Sequence, residues 1–127
     1  MAWVTDSPNW INGRSTSLEY RFPSSMQGSL GIGADLNKWT TEDFAAAKRL
    51  VGEYKAVRAI VQNGDLYRLI SPDGSSEYSV TESVARDGHE AAVFAFLHSS
   101  QKRQPCLFAW ARSRGCLQSS CARRQAR

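Results

Sequence analysis

The spacing of the hydrophobic residues changes at Gly64, and this change limits the fold more than any other feature. Over residues 41–62, apolar side chains recur every three or four residues, which predicts an amphipathic helix. Beyond Gly64, three short segments at 66–70, 77–84 and 91–97 are rich in β-formers and separated by turn residues. Arg86-Asp87-Gly88, between the second and third segments, predicts a hairpin-type turn. We therefore expect the chain to pass from a helix-containing part to three antiparallel strands.

Two short strands and a helix are predicted before the long helix. Residues 1–6 predict a strand that stops at Pro8, and the glycine-rich segment 28–36 predicts a buried strand. Between them, Thr16 and Glu19 have the spacing of a capping box, which predicts a helix start. Strands alternating with helices favour a parallel sheet, but two such units cannot close a barrel. The chain therefore resembles the junction between two larger domains.

The long helix has predicted signals at both ends. Thr40 is expected to be its N-cap, with Asp43 three residues later at the positive end of the helix dipole. Asn63 and Gly64 predict a left-handed C-cap. The predicted apolar stripe comprises Phe44, Ala47, Leu50, Val51, Tyr54, Val57 and Val61.

The charge of the chain is divided sharply near residue 101. Residues 1–101 have a net charge of −3, whereas residues 102–127 hold seven basic residues and no acidic one, for an overall charge of +4. All three cysteines also lie in the second stretch, without the spacing of a zinc site. No apolar run reaches the roughly 18 residues of a membrane span, and no signal-peptide pattern is visible. We expect no membrane association and favour a cytoplasmic location.

Three segments of the sequence carry motifs in a defined order. They are residues 1–10, Met-Ala-Trp-Val-Thr-Asp-Ser-Pro-Asn-Trp; residues 26–36; and the longest, Tyr54-Lys55, Arg58, Gln62, Gly64-Asp65 and Tyr67-Arg68-Leu69. Together these motifs resemble glycoside hydrolase family 36, the α-galactosidases, in which the first is similar to a late barrel strand and the second to the last barrel strand.

The resemblance implies an α/β fold consisting of the last two βα units of a (β/α)8 TIM barrel, followed by the start of a C-terminal antiparallel β-sandwich. The implied domains are the C-terminal part of the barrel over 1–63 and the first sandwich strands over 64–101. The remaining stretch, 102–127, is a basic, Cys-containing tail that we expect to be frame-shifted or disordered.

The resemblance also implies hydrolysis of terminal α-galactosides, as in melibiose or raffinose, with retention at the anomeric carbon. Retention needs two carboxyl groups about 5–5.5 Å apart. The Lys-Trp-Asp pattern of the family's nucleophile is absent. Trp3-Val4-Thr5-Asp6 imitates the family's Trp-Thr-Ser-Asp acid/base pattern, but only 20 residues separate Asp6 from Met26, too few for the whole βα unit that should follow. We expect no catalytic residue, no metal and no cofactor in this chain, which would be inactive by itself.

Trp3, Asn9 and Trp10 are the candidate substrate-binding residues, because they lie at the expected active-site end of a barrel strand. An indole ring can stack on the apolar C–H face of a sugar. Packing in the core or at the rim is the alternative reading, and residue type alone favours it. The expected partners are an α-galactoside in the parent enzyme and the missing upstream half of the barrel.

The Arg-rich tail, residues 102–127, has two competing explanations. Clustered arginines attract phosphate, so a small basic nucleic-acid-binding protein is the alternative function for the chain. The other explanation is a reading-frame shift near residues 100–105, after which the residues encode no selected structure. We favour the frame shift, since composition and family resemblance change at the same place.

Overall fold

The computed structural model describes residues 2–73, 76–97, 106–112 and 118–119. The chain divides into two compact units, residues 1–58 and residues 59–127. Each unit is described by itself below.

The first unit is built on a pair of parallel strands, β1 (Ala2–Val4) and β2 (Leu30–Ile32). Helix α1 (Leu18–Met26) connects them, and one turn of 3₁₀ helix, Leu36–Lys38, follows β2. Both strands are shorter than the predicted segments. The side chains of β2 are half-buried or exposed rather than buried, because β1 is its only strand neighbour within the described residues.

The capping box predicted for α1 is wrong. The N-cap is Ser17, and its side chain makes no capping hydrogen bond. Both carboxylate oxygens of Glu19 instead accept hydrogen bonds from Nη2 of Arg49, at 2.8 Å each. A bidentate contact with a guanidinium is stronger than a neutral cap contact, so the distant partner takes the carboxylate. Phe22 and Met26 of the same helix are fully buried.

Helix α2 (Thr41–Asn63) begins where the sequence predicts. The backbone N–H of Asp43 donates to Thr40 Oγ1 at 3.2 Å, and the backbone N–H of Thr40 donates to Asp43 Oδ2 at 2.9 Å. This reciprocal pair satisfies two backbone donors at the helix N-terminus. The predicted cap at Thr40 is therefore confirmed.

The apolar stripe of α2 is only partly buried. Phe44 is 48 % exposed, and Val51 and Val61 are half-buried. Ile60, which the predicted stripe omitted, is buried. Periodicity identifies an apolar side of a helix but not how much of it a neighbouring element covers. The buried residues of the helix are Ala47, Leu50, Tyr54, Val57 and Ile60.

The left-handed C-cap predicted at Gly64 is wrong, because the φ angle of Gly64 is not positive. Its backbone N–H donates to the carbonyl oxygen of Ile60 at 2.8 Å, as in a continuing helix. A Cβ atom at this position would lie 2.4 Å from the carbonyl oxygen of Val84 and 2.5 Å from that of Ile60. Glycine is therefore required here by the close approach of two backbone segments.

The second unit contains an antiparallel sheet in which consecutive strands are neighbours. The turn between its second and third strands contains Gly88 at φ +71°, and the backbone N–H of Ala85 donates to the carbonyl oxygen of Glu90 at 2.8 Å. This confirms the predicted turn. The strands are β3 (Asp65–Ile70), β4 (Tyr78–Val84), β5 (Glu90–Leu97), β6 (Cys106–Arg112) and β7 (Gln118–Ser119).

The sheet continues beyond residue 101, where the sequence analysis expected structure to end. Strand β6 pairs with β5 over seven residues, and the rings of Phe94 and Phe108 stack with centroids 4.9 Å apart. Cys106 and Phe108 of β6 are buried. Ala92 and Phe94, which lie on one face of β5, are buried as well. The two parts of the tail that the structure describes are therefore strands, unlike the expected arbitrary or disordered segment. The sheet extends because β5 is apolar on both faces and therefore suits the middle of a sheet, and β6 supplies its second strand neighbour.

Candidate functional site

The candidate site lies where the two parallel strands end. The segment after β1 covers residues 5–14, and the segment after β2 covers residues 33–40. Carboxyl ends of parallel strands meet at one edge of a sheet, where ligands bind in α/β proteins. The three sequence-predicted residues, Trp3, Asn9 and Trp10, all belong to β1 or to the segment after it.

Trp3 lies against the backbone of β2. Its register partner is Gly31, and a Cβ atom built on Gly31 would lie 3.0 Å from Cε3 of the indole. A Cβ atom on Gly33 would lie 3.1 Å from the same carbon. The ring therefore lies against two glycines, and Trp3 is nevertheless 56 % exposed.

Asn9 organises the loop that carries Trp10. Its Oδ1 accepts a hydrogen bond from the backbone N–H of Ile11 at 2.9 Å, and its Nδ2 donates to Thr5 Oγ1 at 3.4 Å. Gly13, with φ +67°, donates its N–H to the carbonyl oxygen of Asn9 at 2.7 Å. Trp10 is 85 % exposed at the tip of this loop. Asn9 and Trp10 are thus brought together, and Asn9 is joined through Thr5 to the strand that bears Trp3.

A charged cavity of about 320 Å³ lies beside this loop. Arg21 enters it from α1, and Nη1 of Arg21 donates a hydrogen bond to the carbonyl oxygen of Thr5. Burial lowers the pKa of the Arg21 guanidinium, although the carboxylates of Asp43 and Asp6 act in the opposite direction. Its Nε is buried and finds no hydrogen-bond partner in the part of the chain that the structure describes. The cavity is lined by Asp6, Ser7, Pro8, Arg21, Lys38, Trp39 and Asp43.

The two carboxylates of this cavity serve its architecture. Asp6 Oδ1 accepts a hydrogen bond from the backbone N–H of Asp35 at 3.0 Å, so Asp6 joins the segments that follow β1 and β2. Asp43 Oδ2 accepts from the N–H and the hydroxyl of Thr40 and caps α2. Asp6 therefore fixes the backbone at the strand ends and Asp43 fixes the start of α2, while Arg21 lines the same cavity with the opposite charge.

Asp35 fixes the turn that follows β2. Its Oδ1 accepts from the backbone N–H of Asn37 at 3.1 Å and from the side-chain amide of Asn37 at 3.0 Å. The hydrogen bond from the backbone of Asn37, then that from its side chain, and the nearby Lys38 lower the pKa of Asp35. Asp35 is therefore a turn-forming residue, in agreement with its place before the 3₁₀ turn.

Sequence reasoning missed Arg21, Lys38, Trp39 and the glycine pair. Nothing in the local sequence connects Arg21 with Thr5 or Asp43, since those contacts exist only after α1 folds back on β1. The glycines did carry a signal: Gly31 and Gly33 alternate on one face of a short strand, which indicates that a large group covers the backbone there.

Within residues 2–73, 76–97, 106–112 and 118–119, no cluster of three or more His, Cys, Asp or Glu side chains could hold a metal ion. Over the same ranges, no helix is both long enough and apolar enough to span a bilayer.

Two parallel strands with returning helices, followed by an antiparallel sheet, define an α/β protein. Comparison with known proteins identifies its family. The Melibiase family model matches residues 1–64, half of the chain. The chain belongs to the Melibiase family.

The proteins that the chain matches in sequence are α-galactosidases. The chain is 36% identical over 107 residues to α-galactosidase AgaA of Geobacillus stearothermophilus, which covers 84% of this chain and 14% of that protein. It is 35% identical over 106 residues to α-galactosidase 1 of Pediococcus pentosaceus, with the same two coverages. The chain thus spans about one seventh of the length of these relatives.

Solved structures agree with the sequence comparison. A GH36 α-galactosidase AgaA variant from Geobacillus stearothermophilus, in complex with stachyose, matches with a TM-score of 0.75 and 35% identity, over 84% of this chain and 14% of that one. A second AgaA variant, in complex with raffinose, matches with a TM-score of 0.74 and 34% identity, over 90% of this chain and 16% of that one.

Proposed function

We propose that this chain is a C-terminal part of a retaining α-galactosidase that hydrolyses terminal α-galactosides of the melibiose and raffinose type. The observation that carries the proposal is the match to α-galactosidases over more than four fifths of the chain, in sequence and in backbone. In this proposal β1 and β2 are the seventh and eighth strands of the catalytic barrel, within residues 1–63. Residues 64–101 begin the sandwich.

We further propose that the chain has no hydrolase activity by itself. A retaining enzyme needs one carboxylate as nucleophile and a second carboxyl group as acid/base, about 5–5.5 Å apart across the sugar. Asp6 and Asp35 follow the two strand ends and Asp43 lies in the first turn of α2, and each of these carboxylates accepts a hydrogen bond that fixes the backbone. The reacting pair would then belong to the barrel strands that the longer relatives contain in addition.

Trp3, Asn9 and Trp10 are proposed as sugar contacts. Trp3 and Trp10 present exposed indole rings, and the Asn9 loop determines where Trp10 lies. Both of the polar atoms of the Asn9 side chain already have partners within the loop. We therefore assign Asn9 to positioning the loop and the two tryptophans to direct contact.

The proposed partner is the rest of the barrel. An apolar groove of about 500 Å³ lies along β2 and α2, and Ile32, Leu36 and Phe44 line it with large exposed side chains. Among the described residues, β2 pairs with β1 alone, so its other edge is open. An open parallel strand beside an apolar groove suits a further βα unit, which would cover both.

Fragment complementation tests the proposal. Geobacillus stearothermophilus AgaA is truncated before the segment that matches this chain and is co-expressed with the chain. We expect α-galactosidase activity with raffinose to appear only when both pieces are present. The matched control is the relative's own terminal segment. Restoration by that segment, but not by this chain at equal soluble amounts, would contradict the proposal.

No second function is proposed. The nucleic-acid alternative depends on the basic side chains of residues 102–127, which lie outside the described side chains. The frame-shift explanation for the same stretch and the cytoplasmic location stay predictions.

A further inference from the structure

The two faces of β1 differ completely in burial. Val4 is fully buried and faces the helices, whereas Trp3, its neighbour in the strand, is 56 % exposed. Successive side chains of a strand point to opposite faces, so the indole lies on the face of the β1–β2 pair that no helix of this unit covers.

The backbone beneath the ring is shaped to receive it. Gly31 and Gly33 lie on the same face of β2 as Trp3, and a Cβ on either would stand 3.0 or 3.1 Å from Cε3 of the indole. Contacts this short require the ring to move. Gly28, three residues before Gly31, would meet no atom within 4 Å. The two glycines under Trp3 are thus the ones whose missing side chains bring the ring against the strand.

The ring held in this way contacts the backbone at both glycines, and Trp3 is still more than half exposed. A flat aromatic surface of fixed orientation matches the C–H face of a pyranose ring, because both are apolar and of similar size, while the sugar hydroxyls at the edge remain hydrated. The position at the carboxyl ends of parallel strands is where such ligands bind.

We infer that Gly31 and Gly33 hold the Trp3 indole flat on β2, where it is a stacking platform for a pyranose. The glycines are positioning residues, and Trp3 makes the contact. The inference deepens the proposed function, on which its choice of sugar rests, but it concerns binding and requires no hydrolysis. The competing explanation is that the ring only shields the glycine backbone from water.

Binding is tested on the whole chain, with methyl α-galactoside as the probe and the indole N–H signals of Trp3 and Trp10 followed by NMR. We expect saturable shifts at Trp3. Gly31→Ala and Gly33→Ala should each weaken binding about fivefold, since loss of stacking removes about 1 kcal/mol. Gly28→Ala is the matched control and should bind like the parent chain.

A double-mutant cycle keeps the inference testable if the alanine variants are unstable. Trp3→Ala should remain folded, because Trp3 is more than half exposed, and should abolish magnetisation transfer from the chain to methyl α-galactoside, which does not depend on the Trp3 signal. Gly31→Ala should lower stability when Trp3 is present and have little effect in the Trp3→Ala background. Unchanged binding in both alanine variants, or no saturable shift of Trp3 in the parent chain, would overturn the platform. Complementation of AgaA is scored independently, so failure of the platform and failure of the proposed function remain distinguishable.

Discussion

Gly64→Ala tests whether the end of α2 and the end of β4 are packed as closely as the structure has them. The new Cβ would lie 2.4 Å from the carbonyl oxygen of Val84 and 2.5 Å from that of Ile60. Both oxygens are backbone atoms, so neither can rotate away as a side chain would. One of the two segments must shift by at least 0.6 Å to reach the 3.0 Å below which real contacts are essentially never found.

The expected cost follows from two opposing effects. Forcing an extra carbon into a closely packed site costs about 1–3 kcal/mol, and a contact with two backbone atoms belongs to the upper part of that range. Loss of glycine flexibility in the unfolded chain offsets about 0.4–1 kcal/mol. We expect Gly64→Ala to lower the free energy of unfolding by about 2 kcal/mol.

Gly52→Ala is the matched control for this prediction. Gly52 lies inside α2, is exposed, and has no atom within 4 Å of its ideal Cβ position. The same chemical change should therefore raise stability by about 0.5–1 kcal/mol. Urea denaturation followed by far-ultraviolet circular dichroism measures both variants. If Gly64→Ala is as stable as the parent chain, the close approach is wrong.

Three further predictions concern separate contacts. Phe108→Ala should destabilise the sheet by about 3–5 kcal/mol, because its buried ring is removed from a stack, and an unchanged unfolding midpoint would contradict the placement of β6. Tyr54→Phe removes the hydrogen bonds of the Tyr54 hydroxyl to the carbonyl oxygen of Gly28 at 2.8 Å and to the backbone N–H of Leu30 at 3.2 Å. It should lower the free energy of unfolding, measured by thermal unfolding, by about 1 kcal/mol, and an unchanged stability would contradict these two hydrogen bonds. Asp35 should titrate below its ordinary pKa of 3.8 in carboxyl NMR, since Asn37 hydrogen bonds favour its ionised form. Its folded pKa is depressed, so its contribution to stability is present above pH 3.8 and is lost as the pH falls below that value; Asn37→Ala should reduce the depression.

The sequence predicted best where structure is determined locally. Thr40 and Asp43 cap α2 through contacts three residues apart, and the turn at Gly88 needs only one positive φ angle. Such features depend on neighbouring residues, which a sequence displays directly.

Distant contacts account for the predictions that were wrong. Glu19 has the spacing for a capping box but binds Arg49, thirty residues away in the chain. Gly64 has the sequence context of a left-handed cap, yet the carbonyl oxygen of Val84 is the reason for glycine there. Phe44 continues the apolar stripe of α2 and stays exposed, because no described element covers it. None of these partners can be inferred from spacing alone.

The candidate site was predicted in part for the same reason. The edge of the sheet and the residues Trp3, Asn9 and Trp10 follow from where the strand ends, so the sequence placed them in one region. That Asn9 holds its own loop, and that Arg21 stabilises the segment after β1, depends on the fold of α1 and on tertiary hydrogen bonds.

The most direct test of the account is an assay of the purified chain alone with a chromogenic α-galactoside. The account predicts no galactose release above the buffer control, because it assigns the reacting carboxylates to strands outside this chain. Turnover by the parent chain that disappears in Asp6→Asn would contradict it, since Asp6 would then be a catalytic carboxylate rather than a link between two strand ends.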